Sequence, residues 1–204
     1  MSDRSGRIGI FGGTFNPIHV GHLRLAEDVR ERFELSRILF IPTHIPPHKP
    51  LDGAVRPSHR LQMVQRAIAG NDALMCDDVE LRRGGISYTI DTVRYVYDAY
   101  RFDARPFLIV GSDLMPELHT WKDVQGLVEL VHFIVLVRDN YPYSPGKSDG
   151  IMMLEYSLFE QRKLQVNSSE IRELLRAGRS IRYLVTDGVW QYIHDHGLYT
   201  GNAD

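Results

Sequence analysis

Residues 8–22, IGIFGGTFNPIHVGH, constrain the fold more than any other stretch of the chain. Ile8, Ile10 and Phe11 form a short apolar run suited to a buried strand, and Gly12-Gly13 follows with a backbone bare enough to turn tightly. Pro17 and Gly21 bracket the next turn. Leu23, Ala26, Val29 and Phe33 then recur at helical spacing, which sets His19 and His22 at the entrance of a helix. A strand, a glycine turn and a helix N-terminus make a cradle for an anion, because backbone N–H groups face the ligand and the helix dipole favours negative charge. Gly-Gly alone reads as an ordinary βα turn. Two imidazoles three residues apart at that turn favour the anion site.

The rest of the chain repeats the alternation. Residues 37–41 (RILFI) predict a second buried strand, ended by Pro42. Residues 43–57 hold four prolines and predict a loop at that strand's carboxyl end, a common place for function. Ser58 is a good N-cap for a helix marked by Leu61, Val64 and Ile68 and stopped at Gly70-Asn71. Residues 73–81 predict a third strand, with Asp77, Asp78 and Glu80 on an edge or exit loop rather than in a metal cluster. After Ser87-Tyr88-Thr89, the residues Ile90, Val93, Tyr97 and Tyr100 form a helical stripe. Residues 106–111 (PFLIVG) and 132–137 (HFIVLV) are core strands, with a helix over 121–130 between them, and Arg138 closes the second. Residues 141–150 read as a loop and 151–154 as a brief strand. Two helices follow, one capped by Ser168 or Ser169 and stopped at Gly178, the other over 186–194. Strands alternating with helices predict a doubly wound parallel α/β sheet, organised as one domain over 1–204 with a small helical C-terminal part from about residue 165. In such sheets ligands bind beyond the carboxyl ends of the strands, where the unusual residues collect.

Composition narrows the partners. Lys and Arg total 24 against 26 Asp and Glu, a formal charge of −2, which offers no basic field for gripping long nucleic acid. A single cysteine, Cys76, and a polar start without an apolar h-region point to a reducing, cytoplasmic setting. No apolar run approaches the roughly 20 residues needed to span a bilayer. An oligomer is compatible with the sequence.

Several chemistries lose support. Gly9, Gly12 and Gly13 are wrongly spaced for a dinucleotide fingerprint, and no G-x-x-x-x-G-K-[ST] loop or G-x-S-x-G elbow occurs. His44 and His48 are separated by two prolines and cannot share a helix face as zinc ligands. The anion-handling reading remains. The Gly12-Gly13 amides, His19, His22, Lys49, Ser168, Ser169 and Arg172 can all donate to phosphate oxygens.

These residues carry a resemblance. GGTFNPIHVGH resembles the T/H-x-G-H signature of the nucleotidyltransferase superfamily, and VNSSEIR at 166–172 resembles its second signature, I-S-S-T-x-I-R. PPHK at 46–49, SYTIDT at 87–92, GSD at 111–113 and Trp121 resemble the nicotinate mononucleotide adenylyltransferase family. The likeness spans nearly the whole chain. Departures are Asn16 for the commoner Asp, Asn167 and Ser169 for Ser and Thr, and Thr186 for Pro. The resemblance implies a Rossmann-like nucleotidyltransferase fold and transfer of AMP from ATP to nicotinate mononucleotide, giving deamido-NAD and pyrophosphate. It implies catalytic roles for His19, His22 and Arg172, and ATP contacts at Gly12, Gly13, Thr14, Phe15, Gly111, Asp113, Ser168 and Ser169. For the acceptor it implies Lys49 at the phosphate, Trp121 against the pyridine ring and Thr89 at the carboxylate, with Tyr88 and Arg138 nearby. It also implies a Mg²⁺ ion carried mainly by ATP phosphates rather than by a protein metal site. Rival readings keep the fold with another acceptor (nicotinamide mononucleotide, phosphopantetheine or a cytidylyl substrate), or make the chain a non-catalytic nucleotide-binding regulator.

Overall fold

The computed structural model describes residues 6–47, 55–137, 154–160 and 164–200. Among them six strands pair in parallel: β1 (Ile8–Gly13), β2 (Arg37–Pro42), β3 (Leu74–Cys76), β4 (Phe107–Gly111), β5 (His132–Val137) and β6 (Tyr156–Glu160). Their spatial order is β3-β2-β1-β4-β5-β6. The order reverses between β1 and β4, so chain leaving those two strands departs to opposite faces and opens a crevice at their carboxyl ends. Level register places Gly13 beside Pro42, and Gly111 beside Leu136.

Seven α-helices flank the sheet among the described residues: α1 (Val20–Arg32), α2 (Pro57–Ile68), α3 (Val79–Arg83), α4 (Thr89–Ala99), α5 (Val124–Leu130), α6 (Ser168–Arg176) and α7 (Asp187–Asp195). Alternate strand residues feed two cores. Phe11, Phe40 and Ile134 point to the face covered by α1, α2, α6 and α7, whose Val29, Val64, Ile171 and Val189 meet them. Ile10, Leu39 and Phe133 point to the other face, against Val93 of α4 and Leu127 of α5. Each such side chain stabilises by about 1.5–3 kcal/mol when buried, so both faces select apolar residues and the strands read as near-continuous runs. The C-terminal helices therefore complete the same core as α1. None of the described helices is long and apolar enough to cross a membrane.

Three local expectations need correction. The third strand stops at Cys76, because Asp77 turns the chain: its carboxylate accepts the Val79 N–H at 2.8 Å and the Tyr100 hydroxyl at 2.6 Å, and residues 79–83 become α3. The helix expected over 121–130 begins only at Val124, where Asp123 caps it by accepting the Gly126 N–H at 3.2 Å; Ser112–Thr120 instead forms a 3₁₀ helix. Helix α2 starts at Pro57, with Arg56 rather than Ser58 at its N-cap. A strand not expected from the sequence runs over Tyr156–Glu160, while the brief strand expected at 151–154 lies, apart from Leu154, outside the described residues. The expected loop at 141–150 also lies outside them.

Candidate active site

The turn after β1 is built from both sides. Phe15 takes a left-handed φ of +48°, and its ring folds back over Gly13, where a Cβ would come within 2.9 Å of Phe15 Cζ. Phe15 is thereby committed to the core, edge-on to Phe11 at 5.7 Å between centroids. Asn16 is buried and accepts the Tyr199 hydroxyl at 2.7 Å. His19 is the extended N-cap residue of α1, and its backbone N–H donates to His22 Nδ1 at 3.3 Å. That acceptance places the proton of a neutral His22 on Nε2, the opposite side of the ring. The two imidazoles stack with centroids 3.7 Å apart, and Phe15 meets His22 at 5.2 Å.

Gly21 makes this stacking possible. A Cβ there would lie 3.0 Å from His19 Nδ1 and 3.1 Å from Cε1, so any side chain pushes the ring outward. Gly21→Ala should raise local helix propensity by about 1 kcal/mol yet cost about tenfold in turnover through misplaced imidazoles. A melting temperature held or raised alongside the slower steady-state rate checks this; a fall in both would make Gly21 a matter of folding only.

His19 is buried, and desolvation pushes its pKa down from the ordinary 6.5 to about 4. The ring is therefore neutral at pH 7. An unfolded chain takes up this proton first as pH falls, so the associated stability is present above pH 6.5 and is lost between 6.5 and about 4, by about 3 kcal/mol in all. Urea unfolding at pH 7.5 and 4.5 should show that loss, and His19→Asn, which keeps a capping side chain, should show less of it.

A second helix start closes one flank. Asn167, not Ser168 or Ser169, caps α6, its Oδ1 accepting the Glu170 N–H at 2.9 Å. The serines are thus the first residues of the helix, with hydroxyls turned to other work. Ser168 Oγ donates to the Pro17 carbonyl at 2.8 Å, and Arg172 Nη1 donates to the Asn16 carbonyl at 2.8 Å. Arg172 Nη2 also reaches Ser169 Oγ at 3.2 Å. Two helix N-termini are so tied to one turn.

Across the crevice, Gly111 ends β4, Asp113 lies in the first turn of the 3₁₀ helix and Trp121 follows its end. Tyr88 caps α4 and Thr89 is its first residue. A cleft of about 1110 Å³ is lined by His19, His22, Gly12, Gly13, Thr14, Phe15, Gly111, Asp113, Ser168, Ser169 and Arg172 together with Tyr88, Thr89 and Trp121. Lys49 and Arg138 lie outside the described residues. No group of three or more His, Cys, Asp or Glu side chains that could hold a metal ion occurs among the described residues.

Residues 10–174 match the cytidylyltransferase-like family. A probable nicotinate-nucleotide adenylyltransferase of Geotalea uraniireducens (strain Rf4) is 41% identical over 95% of this chain and 98% of its own length. One of Geobacillus kaustophilus (strain HTA426) is 41% identical over 98% of this chain and 90% of its own. The chain belongs to the nicotinate-nucleotide adenylyltransferase family. Its fold is also that of the Plasmodium falciparum nicotinic acid mononucleotide adenylyltransferase complexed with NaAD, with a TM-score of 0.74, 21% identity, and 97% of this chain and 99% of that chain covered.

Three residues in or behind the cleft wall were not read as site residues from the sequence, which placed Glu80 on an edge or exit loop. Arg60 of α2 is wholly buried and donates to the carbonyls of Thr14 at 2.8 Å, Thr43 at 2.6 Å and His44 at 3.3 Å, pinning the chain after β1 to the chain after β2. Glu80 is buried in the cleft wall. Lys122 sits 4.6 Å above the Tyr88 ring and pairs with Asp91 at 2.8 Å. Arg60 was detectable, since it precedes Met63 and Val64 by three and four residues on the apolar stripe of α2.

Proposed function

We propose that the chain transfers AMP from ATP to nicotinate mononucleotide in the cytoplasm, forming deamido-NAD and releasing pyrophosphate. The observation that carries this reading is that the starts of α1 and α6, with His19, His22, Ser168, Ser169 and Arg172, border one cleft at the β1–β4 reversal. The relatives named as nicotinate-nucleotide adenylyltransferases support the acceptor.

The acceptor's phosphate oxygen attacks the α-phosphorus of ATP, the bond to the bridging oxygen breaks, and its electron pair leaves on pyrophosphate. A phosphate is nucleophile enough, so the protein supplies alignment and charge stabilisation rather than a covalent intermediate. His22 donates from Nε2 to the α-phosphate as charge builds. Neutral His19 accompanies it at the start of α1, beside the Gly12-Gly13 backbone and Thr14. Ser169 and Arg172 bind the departing β- and γ-phosphates, while Ser168 holds the turn through Pro17 and offers its oxygen to the site. Asp113 and Gly111 position adenosine. Trp121 stacks on the pyridine ring, and the Thr89 amide and hydroxyl at the start of α4 receive its carboxylate, with Tyr88 flanking. Lys49 and Arg138 serve the acceptor from segments outside the described residues. A Mg²⁺ ion carried mainly on the triphosphate and water would neutralise charge on the leaving oxygens, beside Ser169 and Arg172 at the same phosphates.

Direct transfer is tested by incubating the protein with α-phosphate-labelled ATP. Label should stay off the protein without acceptor and appear in deamido-NAD when nicotinate mononucleotide is added. A labelled protein would contradict direct transfer.

A further inference from the structure

Two ion pairs dock residues 121–123 onto the first half of α4. Lys122 Nζ donates to Asp91 Oδ2 at 2.8 Å, and Arg94 Nη2 donates to Asp123 Oδ2 at 2.6 Å, Asp91 and Arg94 being neighbours on one face of the helix. Asp123 takes a left-handed φ of +49° and caps α5, which fixes the backbone next to Lys122. The Lys122 ammonium also lies 4.6 Å from the centre of the ring of Tyr88, the N-cap residue of α4. It is thereby held at the N-terminal turn of that helix, whose first residue is Thr89. Its side chain is 48% exposed and borders the cleft beside Trp121.

An ion pair as exposed as this one contributes little to stability. The ammonium has three N–H donors, of which Asp91 takes one, so it can serve a ligand in the cleft as well. With the pyridine ring on Trp121 and one carboxylate oxygen at the Thr89 amide, the second oxygen still needs a donor, and Lys122 borders that same wall. The Asp91 carboxylate offsets its charge at a distance, so the ammonium acts by contact rather than as a long-range field. A carboxylate presents acceptors on both oxygens. An amide would set its NH₂ against the ammonium, donor against donor.

We propose that Lys122 is a specificity-determining residue for the acceptor, its ammonium donating to the carboxylate of the bound mononucleotide beside the Thr89 amide, while Asp91 and the Tyr88 ring hold it in place. The inference rests on the adenylyl-transfer reading above. Arginine keeps a cation at that position, and methionine keeps the apolar stem without one.

The test compares steady-state kcat/KM for nicotinate mononucleotide and nicotinamide mononucleotide, and KM for ATP, in the natural protein, K122M and K122R, each checked for a cooperative melt. Where the amide is not turned over, its inhibition constant against the acid takes the place of kcat/KM. K122M should lower the acid value about tenfold and leave the amide value and the KM for ATP within about twofold, whereas K122R should keep the acid value within about threefold. An acid value unchanged in K122M overturns the proposal. So does an equal loss for acid and amide, which a purely structural ion pair would give, or an Arg variant as impaired as Met; if K122M does not fold, K122A replaces it with the same outcomes. A natural protein that turns over neither mononucleotide would instead sink the adenylyl-transfer reading itself.

Discussion

His22→Ala should lower kcat on the order of 10²–10³ while leaving the melting temperature nearly unchanged. The ring lies in the first turn of α1, half-buried, with Nδ1 occupied by the His19 backbone N–H at 3.3 Å and its faces set by His19 and Phe15. Under the proposed transfer, a ring fixed in this way would direct Nε2–H without having to reorganise as charge develops on the α-phosphate. Donors of that kind contribute several kcal/mol to a transition state and little to the folded state. The helix does not depend on the imidazole, because the backbone bonds of its first turn, such as Leu23 N–H to the His19 carbonyl at 3.3 Å, remain. Pyrophosphate release at saturating substrates, paired with a thermal melt, reads both effects. An unchanged kcat would remove His22 from the chemistry.

Arg60→Met should destabilise the protein by about 3 kcal/mol. The guanidinium is 0% exposed and serves three carbonyls, those of Thr14, Thr43 and His44. Methionine fills much of the volume but leaves these acceptors unpaired, at about 1–3 kcal/mol each, partly offset because a buried charge is no longer desolvated. Desolvation already disfavours the charged form here, pushing the Arg60 pKa down. Lysine should recover only part of the loss, since one ammonium cannot span carbonyls on two loops as a planar fork does. Because Thr14 belongs to the turn after β1, to which the proposed function assigns ATP contacts, the KM for ATP should rise in both variants. Urea unfolding gives the stability change. A variant as stable as the natural protein would mean that the carbonyls find other donors.

The architecture was legible because local signals agreed: β1 into a glycine turn, α1 opening at His19, Gly178 ending α6, and strands apolar on both faces. The two stretches that meet at the cleft, 8–22 and 166–172, stood out for the same reason, since each is a short local pattern. Features made by distant contacts were not. Asp77 ends β3 through Tyr95 of α4 and Tyr100 just after it, which no short window around 73–81 contains. Asn167 outcompetes two serines as the cap of α6, because those hydroxyls sit one and two positions inside the helix and Ser168 turns to Pro17. Arg60's place on the apolar stripe of α2 was visible, but its partners, the Thr14, Thr43 and His44 carbonyls on the chain after β1 and β2, were not. Glu80 likewise becomes a cleft residue only once α3 and α4 meet.

Pyrophosphate release measured in parallel with ATP plus nicotinate mononucleotide and ATP plus nicotinamide mononucleotide tests the central assignment most directly. Donors facing the acceptor's carboxylate leave an amide NH₂ unpaired, so the acid should be turned over with the higher kcat/KM, by about tenfold or more. Faster turnover of the amide, or ATP binding with release from neither, would contradict it.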